Sequence, residues 1–123
     1  MNTALWVVQI VLAAMFVMAG VVKATRTKDE LAPKMPWVED FGATAVKAIG
    51  VTELLGGLGL VLPAATGVAT VLTPLAAAGL AVTMALAAVV HLRRKEYSGI
   101  VFNAVLLALA AFVAWGRFGP YPL

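Results

Sequence analysis

Polar residues fall in clumps along this chain, and between the clumps lie four long stretches with very few of them. These stretches run roughly from Ala4 to Val22, Ala43 to Leu62, Val68 to Val90 and Tyr97 to Gly116, with Gln9, Lys47, Glu53 and Asn103 as the main polar interruptions. Each is about 20 residues long, the number an α-helix needs to cross a hydrocarbon core of about 30 Å at about 1.5 Å per residue. No stretch alternates apolar and polar positions as a barrel strand would. The pattern predicts an all-α integral membrane protein: a four-helix antiparallel bundle forming one domain over residues 1–123. The first run has no basic segment ahead of it and no small-residue cleavage signal after it, so it reads as a helix and not as a removed signal peptide.

The links between runs differ in kind. Pro63-Ala64-Ala65-Thr66-Gly67 is short and uncharged, which predicts a tight hairpin and makes the second and third helices neighbours. The link from Lys23 to Gly42 is longer, and Pro33, Pro36, Trp37 and Phe41 mark it as a broken segment lying in the membrane interface with Trp37 as its anchor.

Composition agrees with the pattern: 63% of residues are hydrophobic, 12% are charged and the mean hydropathy is +0.99. A pI near 9.6 does not point to nucleic acid, because the nine Lys and Arg residues cluster where the apolar runs end. The chain has no cysteine, which excludes disulfides, thiolate metal sites, iron-sulfur clusters and cysteine nucleophiles, and its single histidine excludes a bis-histidine haem within one chain. No metal site is expected.

The distribution of basic residues predicts orientation. Lys23, Arg26, Lys28, Lys34 and Lys47 flank the first link and Arg93, Arg94 and Lys95 the third, which leaves only Arg117 for the other side. Positive flanks stay in the cytoplasm, so both charged links are expected inside a bacterial inner membrane and both termini outside. Trp6, Trp115, Phe118 and Tyr121 then form an outer aromatic belt.

Candidate chemistry gathers at the basic end. Glu53 lies about 8 to 15 Å deep in the second run, where a bare charge costs about 3 kcal/mol, so it must be protonated, paired or turned toward a polar cavity. Gly50 and Gly57 share its face and let another helix approach. A carboxyl group serving only as helix glue, locked to Lys23 or Asn103, is the alternative to a functional one. Lys23 either pairs with Glu53 or snorkels to the surface. His91 is either a solvated interfacial residue beside Arg93 and Arg94 or a proton carrier, since imidazole titrates near neutrality. Asn103, about 9 Å below the surface, is either an interhelical bond or a ligand anchor. Gln9, in the outer half, reads as packing alone. Each helix thus sends one polar group into the inner half, and this cluster, roofed by the Pro33 to Phe41 segment and walled by Phe16, Met84 and leucines, suits an apolar molecule with a polar head. Glu53 and His91 are the expected catalytic groups; Lys23, Asn103, Trp37 and Met84 are the expected ligand contacts. Gly56-Gly57-Leu58-Gly59 lies within a spanning run, where it serves close packing and not phosphate binding.

Three blocks carry a resemblance. Ala19-Gly20-Val21-Val22-Lys23, the stretch Ile49-Gly50-Val51-Thr52-Glu53-Leu54-Leu55-Gly56-Gly57-Leu58-Gly59-Leu60, and His91-Leu92-Arg93-Arg94-Lys95-Glu96 followed by Asn103 resemble the DoxX-like family of small bacterial four-helix membrane proteins. The resemblance spans nearly the whole chain and implies a four-helix bundle associated with quinone-linked oxidoreduction. A redox role would need a bound quinone, a flavin or a partner subunit, since no covalently bound cofactor is expected and the chain has no redox centre of its own.

Three functions follow as expectations. The first is a subunit that holds a lipophilic, quinone-like molecule through Glu53, His91 and Asn103, beside a partner oxidoreductase subunit. The second is a stand-alone membrane enzyme, of isomerase, cyclase or epoxide hydrolase type, with Glu53 as acid or base. The third is a non-catalytic scaffold or assembly subunit, and the glycine-rich faces also permit a homo-oligomer.

Overall fold

The computed structural model describes residues 1–123 and contains no strand. Four long helices carry the fold: α1 (Asn2–Thr25), α3 (Ala43–Thr66), α4 (Leu72–Arg93) and α5 (Tyr97–Phe118). All four are long and apolar enough to cross a membrane. Their lipid-facing sides are as apolar as their inward ones, with Met18, Leu55, Val82, Leu86 and Val101 among many exposed hydrophobic residues. Such all-round hydrophobicity is stable only in a bilayer.

Two pairs make up the bundle. α1 packs on α3 and α4 on α5, with α3 against α4 and, more sparsely, α1 against α5 closing the ring. The α1–α3 pair is held by glycine. A methyl group on Gly20 would lie 2.5 Å from the backbone nitrogen of Leu54 and 2.6 Å from the carbonyl oxygen of Gly50, and one on Gly50 would lie 2.6 Å from the nitrogen of Ala24. Backbone therefore rests on backbone, the contact that small residues permit between membrane helices. Gly57 repeats it one turn or two further on, against Val17 and Ala13. The core between the pairs is built from Leu12, Phe16, Leu60, Leu80, Leu106 and their neighbours.

The α3–α4 hairpin departs from its sequence reading. Pro63 lies inside α3, which runs on to Thr66, and the turn begins at Gly67 in the left-handed conformation (φ 70°). α4 accordingly starts at Leu72 and not at Val68. Proline has no N–H to bond the carbonyl four residues back, here Gly59. Thr73 Oγ1 of α4 donates to that carbonyl at 3.0 Å, so a group freed by proline becomes a tie between helices.

The segment between α1 and α3 is broken as expected. It contains the single-turn helix α2 (Lys28–Leu31) and a 3-10 turn at Pro36–Asp40. Thr27 and Glu30 form a reciprocal capping box at its start, and Leu31, Val38 and Val46 give it a small core of its own.

At the other link, α4 ends in a Schellman turn: Glu96 N–H donates to the His91 carbonyl (2.9 Å) and Lys95 N–H to that of Leu92 (3.1 Å). Lys95 occupies the left-handed position usually given to glycine, at φ 58°.

Two outcomes are expected from these contacts. Gly50→Val forces two backbones apart and should lower stability by about 1–3 kcal/mol, whereas Gly79→Ala, where an added methyl meets nothing within 4 Å, should be neutral or stabilising; thermal unfolding in detergent distinguishes them. Lys95→Gly should raise stability by about 1 kcal/mol by removing the cost of a side chain at positive φ, read as a higher midpoint in the same assay.

Candidate functional site

Lys23 stands near the end of α1 and Glu53 about three turns into α3, opposite one another because Gly20 and Gly50 bring those helices into contact. Lys23 Nζ donates to Glu53 Oε1 at 2.6 Å, and Glu53 is 2% exposed. The pairing expected as one alternative is thus present. Lys23 Nζ also lies 5.3 Å from the centroid of the Trp37 ring, which ties the interfacial segment to the ion pair.

His91 closes α4. Its Nδ1 is 2.9 Å from Glu96 Oε1; a carboxylate only accepts, so Nδ1 carries the proton and Nε2 is the nitrogen left for other contacts. The Schellman turn places this carboxylate by returning the chain beside the imidazole. Gly99 makes room for the ring: a methyl there would lie 2.6 Å from Nδ1. Glu96 in turn approaches Arg94 (3.5 Å), which bonds Asp40 of the 3-10 turn at 2.9 Å. The Asp40 hydrogen bond holds the Arg94 guanidinium even more firmly protonated than usual. A chain of polar contacts thus runs from the interfacial segment across to His91.

Asn103 of α5 is 6% exposed, and its Nδ2 has no hydrogen-bond partner in the protein. An amide donor left unbonded in such a place costs about 1–3 kcal/mol.

Two cavities meet at these groups. One, of about 400 Å³, lies between α3 and α4 and is walled by Ile49, Ala87 and Val90 under Phe41. The other, of about 710 Å³, lies between α1 and α5 and reaches the basic end past Lys34, Lys95 and Ser98. Lys23, Trp37, Glu53, Met84, His91 and Asn103 line both. All six residues singled out from sequence therefore surround one shared space. The walls are apolar, and the polar groups converge from four elements, the makeup of a small-molecule site. Glu96, Asp40 and Arg94 were not singled out. A five-residue separation across a helix end gives no periodic signal, and the contact of Arg94 with Asp40 spans 54 positions. His91 and Glu96 have no third acidic or histidine neighbour able to complete a metal-binding group.

The opposite half corrects one expectation, since Gln9 does more than pack, and it shows that Arg117, the one basic residue at that end, is buried. Arg117 is 3% exposed; its Nε donates to Gln9 Oε1 (2.8 Å) and its Nη1 to Asn2 Oδ1 (2.7 Å) and the Tyr121 carbonyl (3.0 Å). Gln9 Nε2 donates to the Leu60 carbonyl at 2.7 Å, beside the break made by Pro63. The guanidinium also lies 5.8 Å from the Trp6 ring, and Trp115 packs edge-on to Tyr121. A long side chain near a helix end turned inward because neutral acceptors on α1 and in the C-terminal turn supply its bonds.

Comparison with known proteins gives one finding. No curated protein and no solved structure matches the chain. The profile of the DoxX-like family matches residues 7–113, a span that takes in α3 and α4 whole, most of α1 and α5, and every residue of the shared space. With that match over most of its length, and with four helices fit to span a bilayer, the chain is a multi-pass membrane protein that belongs to the DoxX-like family.

Proposed function

We propose that this protein binds a lipophilic molecule with an oxygen-bearing head, of the quinone type, in the half of the bundle that holds Glu53 and Asn103. The observation that carries the reading is Asn103 Nδ2, a buried donor without a partner on the wall shared by a mainly apolar cavity and a second one of mixed lining. A carbonyl oxygen is the acceptor it lacks. Lys23 supplies a second donor above the same space, Trp37 and Met84 supply flat and pliable apolar walls, and His91 presents Nε2.

A quinone supplies two-electron chemistry when an electron donor reduces it, and that donor would be a partner oxidoreductase subunit, since this chain has no redox group. The chain's own part is then to hold the ring and to deliver protons. A doubly protonated His91 can give its Nε2 proton to the reduced ring while Nδ1–H stays bonded toward Glu96, and the Lys23–Glu53 pair on the same space holds a second proton at Lys23 Nζ. In this reading the basic end faces the cytoplasm of a bacterial inner membrane and both termini lie outside, following the asymmetry of Lys and Arg.

The Lys23–Glu53 pair favours a second reading, in which the polar cluster only fastens α1 to α3. The two readings separate by experiment. Asn103→Leu removes an unpartnered amide, so the empty protein should be as stable or more stable, while affinity for a benzoquinone probe falls about tenfold; unchanged affinity sinks the binding role. Glu53→Gln strands Lys23 and should cost about 3–5 kcal/mol, with part of the loss recovered in the Lys23→Met, Glu53→Gln double variant. If the folded fraction of that double variant binds the probe as the parent does, the pair is a fastening alone.

A further inference from the structure

The α3–α4 cavity is bordered on its outer side by Ala48, Thr52 and Leu86, all exposed on the lipid-facing surfaces of α3 and α4. Its floor is the buried pair Glu53 and Asn103, and its rim includes Leu86, 64% exposed on the outer face of α4. Counting from the end of α4 at Arg93, Leu86 and Thr83 lie about 10 and 15 Å into the span, which is hydrocarbon depth. The other cavity leaves past Lys34 and Lys95, at the charged end. One space thus has one opening on lipid and one on the polar boundary.

The lipid-side opening continues. A further hollow of about 360 Å³ follows the same seam, joined to the first at Thr52 and bordered by Gly56 and Gly59 of α3 and by Ala76 and Gly79 of α4. Its bed is tight, since a methyl on Gly59 would lie 2.9 Å from Ala76 Cβ. Its edge is vacant, since one on Gly79 would meet nothing within 4 Å. From Thr83 to Leu72 the groove extends about 16 Å along α4. Thr52 and Thr83 face it without offering free donors, because each hydroxyl bonds the carbonyl four residues back in its own helix.

We infer that this groove seats the hydrocarbon chain of the ligand whose head lies at Asn103, so that the protein takes long-chain molecules directly from the bilayer through the α3–α4 seam. The inference rests on the binding reading above. Its own support is the continuity of an apolar, small-residue channel with a cavity that ends on an unpartnered amide. A ligand so held keeps its tail at bilayer depth while its head comes within reach of the charged end through the second opening.

The test uses two probes in nanodiscs, each referred to protein-free discs: a tail-less dimethoxy-methyl-benzoquinone, and the same ring bearing a decyl chain. The parent protein should bind the decyl probe more tightly. Gly79→Leu puts a side chain into the groove from a position where its Cβ meets no protein atom and should weaken the decyl probe about tenfold by crowding its chain out of the packed seat, while the tail-less ring binds as before. Gly79→Ala should fall between, and Val105→Leu, on the lipid face of α5, should change nothing. Equal binding of both probes by the parent, or a Gly79→Leu protein that keeps its tail preference, overturns the groove and leaves the head site standing. A parent that binds neither probe overturns both. A Gly79→Leu protein that only loses self-association assigns the groove to a second copy of the chain and overturns the inference.

Discussion

The backbones of α1 and α3 meet at Gly20 and Gly50 without room for a methyl group, and the placement of the inner polar groups follows from that contact. Lipid tails are as apolar as leucine, so helices in a bilayer gain nothing by hiding hydrophobic surface from one another; close packing and polar bonds must hold them. Glycine at the crossing brings Lys23 within 2.6 Å of Glu53. That ion pair lets a carboxylate stand well inside a membrane-spanning helix, where an isolated one would be costly. Trp37 over the lysine then locates the interfacial segment, and the segment roofs the cavities.

The two ends of the bundle treat their polar groups differently. Where Arg117 lies, three of the four helices and the C-terminal turn join in a compact set of bonds among Arg117, Gln9, Asn2 and the carbonyls of Leu60 and Tyr121. That end is closed. At the other, Glu53, His91 and Asn103 lie around open space, and the Asn103 amide goes unmet. A membrane protein that needed only to hold together would gain from satisfying that amide or replacing it with a leucine. Arg117 Nη2 is also left without a partner, but Nε and Nη1 of the same guanidinium are bonded, whereas the Asn103 amide has no bond to the protein and lies on the cavity wall.

Backbone carbonyls show the same economy. Pro63 frees the Gly59 carbonyl, and Thr73 claims it. The hairpin is thereby fastened at its turn, while the same seam stays loose further in, at Thr52 and Thr83, where the lateral opening lies. Fastening one end of a seam and leaving the other apart makes room for a hollow between two helices without loss of the bundle.

The four spanning helices, the broken interfacial segment and the inward face of Glu53 were legible in the sequence, because each depends on a local rule: the length of an apolar run, the positions of proline and tryptophan, the spacing of Gly50, Glu53 and Gly57. Lys23, Glu53, His91 and Asn103 were legible around the shared space for a related reason, since a polar group in a spanning helix has few places to go but inward. Helix ends at Pro63 and Val68 were misjudged because proline was taken as a stop, whereas a threonine on the next helix supplied the missing bond. The bonds of Gln9 were missed, and the burial of Arg117 was not legible, because a cation near a helix end can reach water or turn inward, and only acceptors 108 and 115 positions away decide which. The unmet amide of Asn103 and the two openings belong to the tertiary structure alone. Composition dictates that polar groups face the interior, but whether a partner stands opposite depends on how far apart the helices pack, and that distance is set jointly by residues on all of them.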